Sequence, residues 1–91
     1  MPRVIITAEV EDGATWEEAY RTHGELLRSM TSTVTHFTVT GDNRVVLYAE
    51  PDDVAKYMEV LESPATATAM ANDGVKAETV QVYVLDREFS Y

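Results

Sequence analysis

His23 is the residue of this chain best suited to moving a proton near neutrality, because an imidazole titrates there without help. It follows Trp16 by seven residues and Tyr20 by three, so the three share one stripe of a helix. In the chemical reading, His23 is a pocket imidazole acting as acid or base, and Trp16 and Tyr20 line a ligand site beside it. The plainer alternative is a half-buried histidine bonded to backbone, with the two aromatic residues as helix anchors.

Glu9 and Glu50 form a second candidate. Each closes a strand-like run. If those strands are parallel neighbours in matching register, the two carboxylates approach closely, and like charge raises one pKa into the range of a general acid. Glu50, with His23, is therefore a catalytic candidate. The alternative places both at the sheet rim, paired with Arg3 or Arg44 of a partner copy. His36, Tyr48 and Tyr83 carry groups that could orient a ligand from the sheet, or serve as cross-strand seam residues. His36 with Glu9 or Glu50 is a His/carboxylate set of metal-ligand type. Nothing sets their spacing, so no metal and no cofactor is assigned.

The elements that must position these groups are legible from periodicity. Arg3 to Val10 is a β-branched run. Thr15-Trp16-Glu17-Glu18 has the pattern of a capping box. The apolar positions Trp16, Ala19, Tyr20, His23, Leu26, Leu27 and Met30 predict an amphipathic helix of about four turns. Val34–Thr40 and Arg44–Glu50 read as strands, joined through Gly41-Asp42-Asn43 as a hairpin. Pro51 is expected in the first turn of a second helix with Val54, Tyr57, Met58 and Leu61 inward. Ser63 caps a third helix, Ala65 to Asp73, with Ala65, Ala69 and Met70 inward and Gly74 as its left-handed stop. Thr79–Leu85 is the last strand.

Ninety-one residues make one domain, residues 1–91. The net charge of −9 and the scattered basic residues argue against nucleic acid and against an anionic membrane surface. The chain has no cysteine, hence no disulfide and no thiolate site. No signal-type segment and no run long enough to span a bilayer is present. A soluble cytoplasmic protein is expected.

The order β-α-β-β-α-β predicts an α+β, ferredoxin-like unit: a four-stranded antiparallel sheet with its helices on one face. The first and third strands are expected side by side and parallel, with the fourth outside the first and the second outside the third. Alternation then sorts the strands into two faces. Val4, Ile6, Ala8, Val10, Phe37, Val39, Val45, Leu47, Ala49, Val80, Val82 and Val84 belong under the helices. The remaining face mixes Ile5, Thr7, Glu9, His36, Thr38, Val46, Tyr48, Glu50, Gln81, Tyr83 and Leu85. It is too apolar for open water and too polar for a dry core, so a homodimer through this face is expected, closing a barrel. An open face on a monomer is the alternative.

Asp12 with Trp16, Tyr20 and His23, the Asp42-Asn43 hairpin, Glu50-Pro51-Asp52-Asp53, Ser63-Pro64 and Met70-Ala71-Asn72-Asp73-Gly74-Val75 together resemble the dimeric α/β-barrel superfamily. That group holds antibiotic-biosynthesis-type monooxygenases, haem degraders, muconolactone-isomerase-like enzymes and cyclase-like small barrels. The first strand lacks the Asn common in the monooxygenases and haem degraders, offering Thr7 and Glu9, and no histidine follows His36. The resemblance implies a small dimeric barrel of unassigned activity, with room for a small apolar ligand. Its enzymatic alternative is a cofactor-independent monooxygenase, isomerase or cyclase acting on an oxygen-bearing ring compound.

Overall fold

The computed structural model describes residues 3–22 and 35–91. Its elements are β1 (Arg3–Glu9), α1 (Gly13–Arg21), β2 (Thr35–Val39), β3 (Arg44–Ala49), α2 (Val54–Leu61), α3 (Pro64–Asn72), a 3₁₀ turn (Ala77–Thr79) and β4 (Gln81–Leu85). The sheet order is β2-β3-β1-β4, as the crossover argument requires.

Every neighbouring pair in the sheet is antiparallel, including β1 with β3. The expectation of a parallel central pair is thus corrected. The crossover through α1 makes β1 parallel to β2, one strand removed. β3 returns from β2 by a hairpin into the gap between them, so it must run against both.

The apolar alternation packs as expected. Val4, Ile6, Ala8 and Val10 are buried, with Val45 and Ala49 beside them. One core cluster joins Val4, Ile6 and Ala49 to Tyr57 of α2. The other joins Ala8, Val10 and Val45 to Trp16 of α1. Val84 departs from the pattern: it is 47% exposed, on the edge strand β4.

Three element boundaries differ from the expected ones. Asp12, not Thr15, caps α1: its carboxylate accepts from the Thr15 amide at 3.1 Å and the Thr15 hydroxyl at 2.5 Å. Asp accepts both donors with one charged oxygen, so the helix starts three residues earlier. α1 is described to Arg21, and the rest of the expected four-turn helix lies outside the described residues. Asp53 caps α2, which leaves Pro51 outside the helix and fully buried. β4 starts at Gln81 because Thr79 is drawn into the 3₁₀ turn, where its hydroxyl accepts from the Glu9 amide at 2.8 Å.

The other punctuation is as the residues suggest. Ser63 caps α3 with Pro64 at its first position. Gly74 ends it at φ +79°, where a side chain is strained. Asn43 takes φ +60° in the hairpin. Ala65, expected inward, is exposed, and Thr66 is the buried residue of that turn.

Candidate functional site

The sheet divides the candidate residues between two places. Trp16 and Tyr20 lie beneath it, in the layer between helices and sheet. Tyr48, Glu50, His36 and Tyr83 belong to the other face, in register with Ile5 and its neighbours. His23 lies outside the described residues.

On the helix side is a cavity of about 80 Å³. Ile6, Ala8, Val45 and Leu47 form its sheet wall, and Trp16 and Tyr20 of α1, Tyr57 of α2, and Ala69 and Met70 of α3 close it. Small residues at Ala8 and Ala69 leave the space that larger side chains would fill. The aromatic wall is fixed by its own contacts. The rings of Trp16 and Tyr20 stack at 4.8 Å, and Phe37 meets each edge-on at 5.6 Å. The Arg21 guanidinium lies 5.3 Å over the Phe37 ring.

Among the described lining residues, Trp16, Tyr20, Tyr57, Thr66 and Asp73 carry polar groups. Burial pushes the Tyr20 hydroxyl above its ordinary pKa, and its hydrogen bond with the Thr35 side chain pulls the other way. Tyr57 is pushed up to about 12, first by burial and then by the neighbouring Tyr20 charge. The Thr66 hydroxyl donates to the Val60 carbonyl at 2.6 Å. Asp73 is 8% exposed and Thr66 3%; they are the two buried polar residues among those described. Neither was singled out from the sequence. The signal was there for Asp73: it falls four residues after Ala69, on the same helical stripe, just before the Gly74 stop.

The open sheet face carries a different arrangement. The Tyr48 hydroxyl donates to Glu50 Oε1 at 3.2 Å, and Arg3 Nε meets the same oxygen at 3.5 Å. Burial, then the hydrogen bond to Glu50, raises the Tyr48 pKa. The His36 ring lies 6.2 Å from that of Tyr48. The Tyr83 hydroxyl donates to Gln81 at 2.6 Å.

Glu9 and Glu50 do not meet. Glu9 stands opposite Arg44 and pairs with it at 3.0 Å, while Glu50 pairs with Arg3 beyond the other end of the ladder. Six residues at about 3.3 Å each separate the two levels, roughly 20 Å. The shared-proton dyad is therefore overturned by the antiparallel register. Arg3 and Arg44 do hold these carboxylates, within the same chain. Among the described residues, no three His, Asp or Glu side chains gather as metal ligands. No helix among them is long and apolar enough to cross a membrane.

No protein-family model matches the sequence, and no curated protein sequence does. Solved structures do match. An antibiotic-biosynthesis-monooxygenase-type protein from Bordetella bronchiseptica aligns over 97% of both chains at 16% identity and a TM-score of 0.71. SnoaB, a cofactor-independent oxygenase from Streptomyces nogalater, aligns over 98% of this chain and 94% of its own at 18% identity and 0.69. A second such protein, from Nitrosomonas europaea, aligns over 98% and 100% at 21% and 0.65. The fold is that of the antibiotic-biosynthesis-monooxygenase type. Identities this low carry the architecture and leave the activity to the site itself. The likeness read from the Asp12–Trp16–Tyr20 pattern and the hairpin therefore stands as a likeness of fold.

Proposed function

We propose that this chain binds a small, largely apolar ring compound in the cavity between its helices and its sheet. The observation that carries the reading is the cavity itself, walled by aliphatic and aromatic side chains with a few polar groups. Its volume of about 80 Å³ decides the size of the ligand. Typical small-molecule sites measure about 300–1,000 Å³. A single small ring, or the edge of a larger one, is what this chain accommodates.

The mixed sheet face supports a homodimer in the same reading. Tyr83 and Leu85 are 48% and 42% exposed there, beside Ile5, Val46 and Tyr48. Covering such a face returns about 25 cal/mol per Å² of apolar surface. The acidic, cysteine-free composition supports a cytoplasmic setting.

Trp16 is the sole tryptophan and lines the cavity, so its fluorescence reports occupancy directly. Titration with toluene is expected to change its emission saturably, and Ala69→Phe, which fills the space, to abolish the change. An emission that stays flat to the solubility limit of toluene overturns the reading.

A second reading is favoured by the similarity of fold to SnoaB: cofactor-independent oxygenation, isomerisation or cyclisation of an oxygen-bearing ring compound. In it His23 moves the proton and Trp16 and Tyr20 hold the ring. Glu50, with His36, Tyr48 and Tyr83, reaches a ligand only in a chamber closed by the second copy, because the sheet stands between Glu50 and the cavity. Oxygen uptake with a dihydroxynaphthalene and no added cofactor tests it. Uptake no faster than the protein-free blank removes the oxygenation, and full turnover by His23→Ala removes the role of His23.

A further inference from the structure

We infer that the segment after β4, residues 86–91, is a docking arm that crosses to a second copy of this chain and buries Phe89 and Tyr91 against it. The inference rests on the dimer through the mixed sheet face proposed above, and adds to it a second, separable contact.

Among the described residues, the large apolar side chains that stand exposed are Tyr83, Val84, Leu85, Phe89 and Tyr91. All of them fall within residues 83–91. Scattered exposed apolar residues are ordinary, but a run of them in one short segment marks an interaction site. Phe89 is 79% exposed and Tyr91 fully so, and their rings meet edge-on at 5.1 Å. A flat sheet face does not account for this run. Tyr83 and Leu85 lie on the mixed face, but Val84 has the opposite parity. Phe89 and Tyr91 lie past the last rung of the ladder, where Leu85 stands opposite Arg3. Residues 86–91 pair with no strand among the described residues.

Charge, direction and reach point to a second copy as the occupant. On the mixed face Arg3 pairs with Glu50 and Arg44 with Glu9, so the charged side chains described there cancel. Two copies of a chain of net charge −9 can therefore meet at this face without like-charge repulsion. The segment sets out on the same side. Tyr48 and then Glu50 hold the Arg3 guanidinium above its ordinary pKa, and the Glu88 charge adds to them, so Glu88 lies within electrostatic reach of a mixed-face side chain. Sheets packed face to face stand about 10 Å apart, and six extended residues reach about 20 Å. Phe89, four residues past Leu85, thus arrives at the partner's layer. A stable interface takes about 20–30 residues from each side; the mixed face supplies about a dozen described ones, and the segment raises that toward the range.

Sedimentation equilibrium over a concentration series compares the full chain with its Phe89→Ser/Tyr91→Ser variant. The wild type is expected to be a dimer, and the variant to dimerise with a dissociation constant about tenfold higher or more, the loss expected when buried aromatic rings are removed. Far-ultraviolet dichroism should not change, because neither ring belongs to a core cluster. A second measurement locates the segment. The chain has no cysteine, so Ser90→Cys places a benzophenone label at one position and keeps both rings. Irradiation is expected to yield a covalent species of twice the chain mass. A variant dimer of unchanged affinity overturns the inference and leaves the sheet-face dimer standing. Cross-links confined to the single-chain mass also overturn it, because the segment then folds back on its own chain. So does a wild-type mass that keeps climbing with concentration, the mark of an open series of copies and not a closed pair. A wild-type chain that stays single at every concentration removes the dimer reading and this inference together.

Discussion

The side chain of Asn43, in the β2–β3 hairpin, receives the Gly13 amide at 3.0 Å, while its own carbonyl receives the Val10 amide at 2.9 Å. One turn residue thus clasps both the end of β1 and the start of α1, and so sets where Trp16 enters the cavity wall. Asn43 does this at φ +60°, a conformation that asparagine tolerates better than most residues. Replacing it with Ala removes the acceptor and adds backbone strain. The expected loss is about 2–3 kcal/mol, combining an orphaned amide with a left-handed alanine. Asn43→Gly keeps the backbone free and isolates the lost acceptor, so it should cost less. Chemical denaturation of both variants measures the difference.

Gly13 is the tightest of the described glycines. A Cβ there would stand 2.5 Å from Val39 Cγ1. Val39 is β-branched and stiff at χ1, so it cannot swing away cheaply. Gly13→Ala should destabilise the fold by about 1–3 kcal/mol even though alanine is the better helix former. Gly13→Ala combined with Val39→Ala should recover part of that loss, and a double-mutant cycle shows whether the contact is the cause.

Tyr57 gives the fold an alkaline limit. Its hydroxyl is pushed up to about 12 in the folded chain by burial, against about 10 when unfolded. A raised folded value means the native state prefers the neutral phenol. The contribution is complete below pH 10 and is lost as the pH rises from there through 12. Stability measured by denaturation should fall over that window, and Tyr57→Phe should flatten the fall. An ultraviolet titration should show one fewer late-ionising tyrosine in the variant than in the wild type.

Ser63 and Thr66 join α2 to α3. The Ser63 side chain accepts from the Thr66 amide, and both hydroxyls donate to the Val60 carbonyl at 2.6 Å. Ser63→Ala should cost about 1 kcal/mol as a lost cap. Thr66→Val, which keeps the shape at a position 3% exposed, should cost about 1 kcal/mol. Because both hydroxyls serve one carbonyl, the double variant should deviate from the sum, and thermal unfolding of the three reads that out.

Dimerisation through the mixed sheet face predicts a particle of twice the 10.2 kDa chain mass at micromolar concentration. Tyr83→Glu, on that face, should shift it toward the single-chain mass without changing the far-ultraviolet dichroism. Sedimentation equilibrium of the two proteins makes the comparison.

The order of elements, the sidedness of each strand and most of the core followed from local pattern, because alternation and the 3.6 period are written residue by residue. Ser63 and Gly74 were legible for the same reason: capping and left-handed turns depend on one or two residues. The relation between Glu9 and Glu50 was not. It turns on the direction of β3, which the hairpin from β2 imposes and no local pattern records. Asp12 displaced Thr15 as a cap because two good capping residues competed, and only the path of the chain from β1 chose between them. The site divides along the same line. The sequence alone determined which side chains could take part: Trp16 and Tyr20 on one helix stripe, and His36, Tyr48, Glu50 and Tyr83 on one sheet face. Tertiary structure decided that these are separate places, because a sheet has two sides and the helices cover only one. It also brought Tyr57, Thr66 and Asp73 to the cavity from two further helices, since a wall made by three distant segments exists only once they are packed.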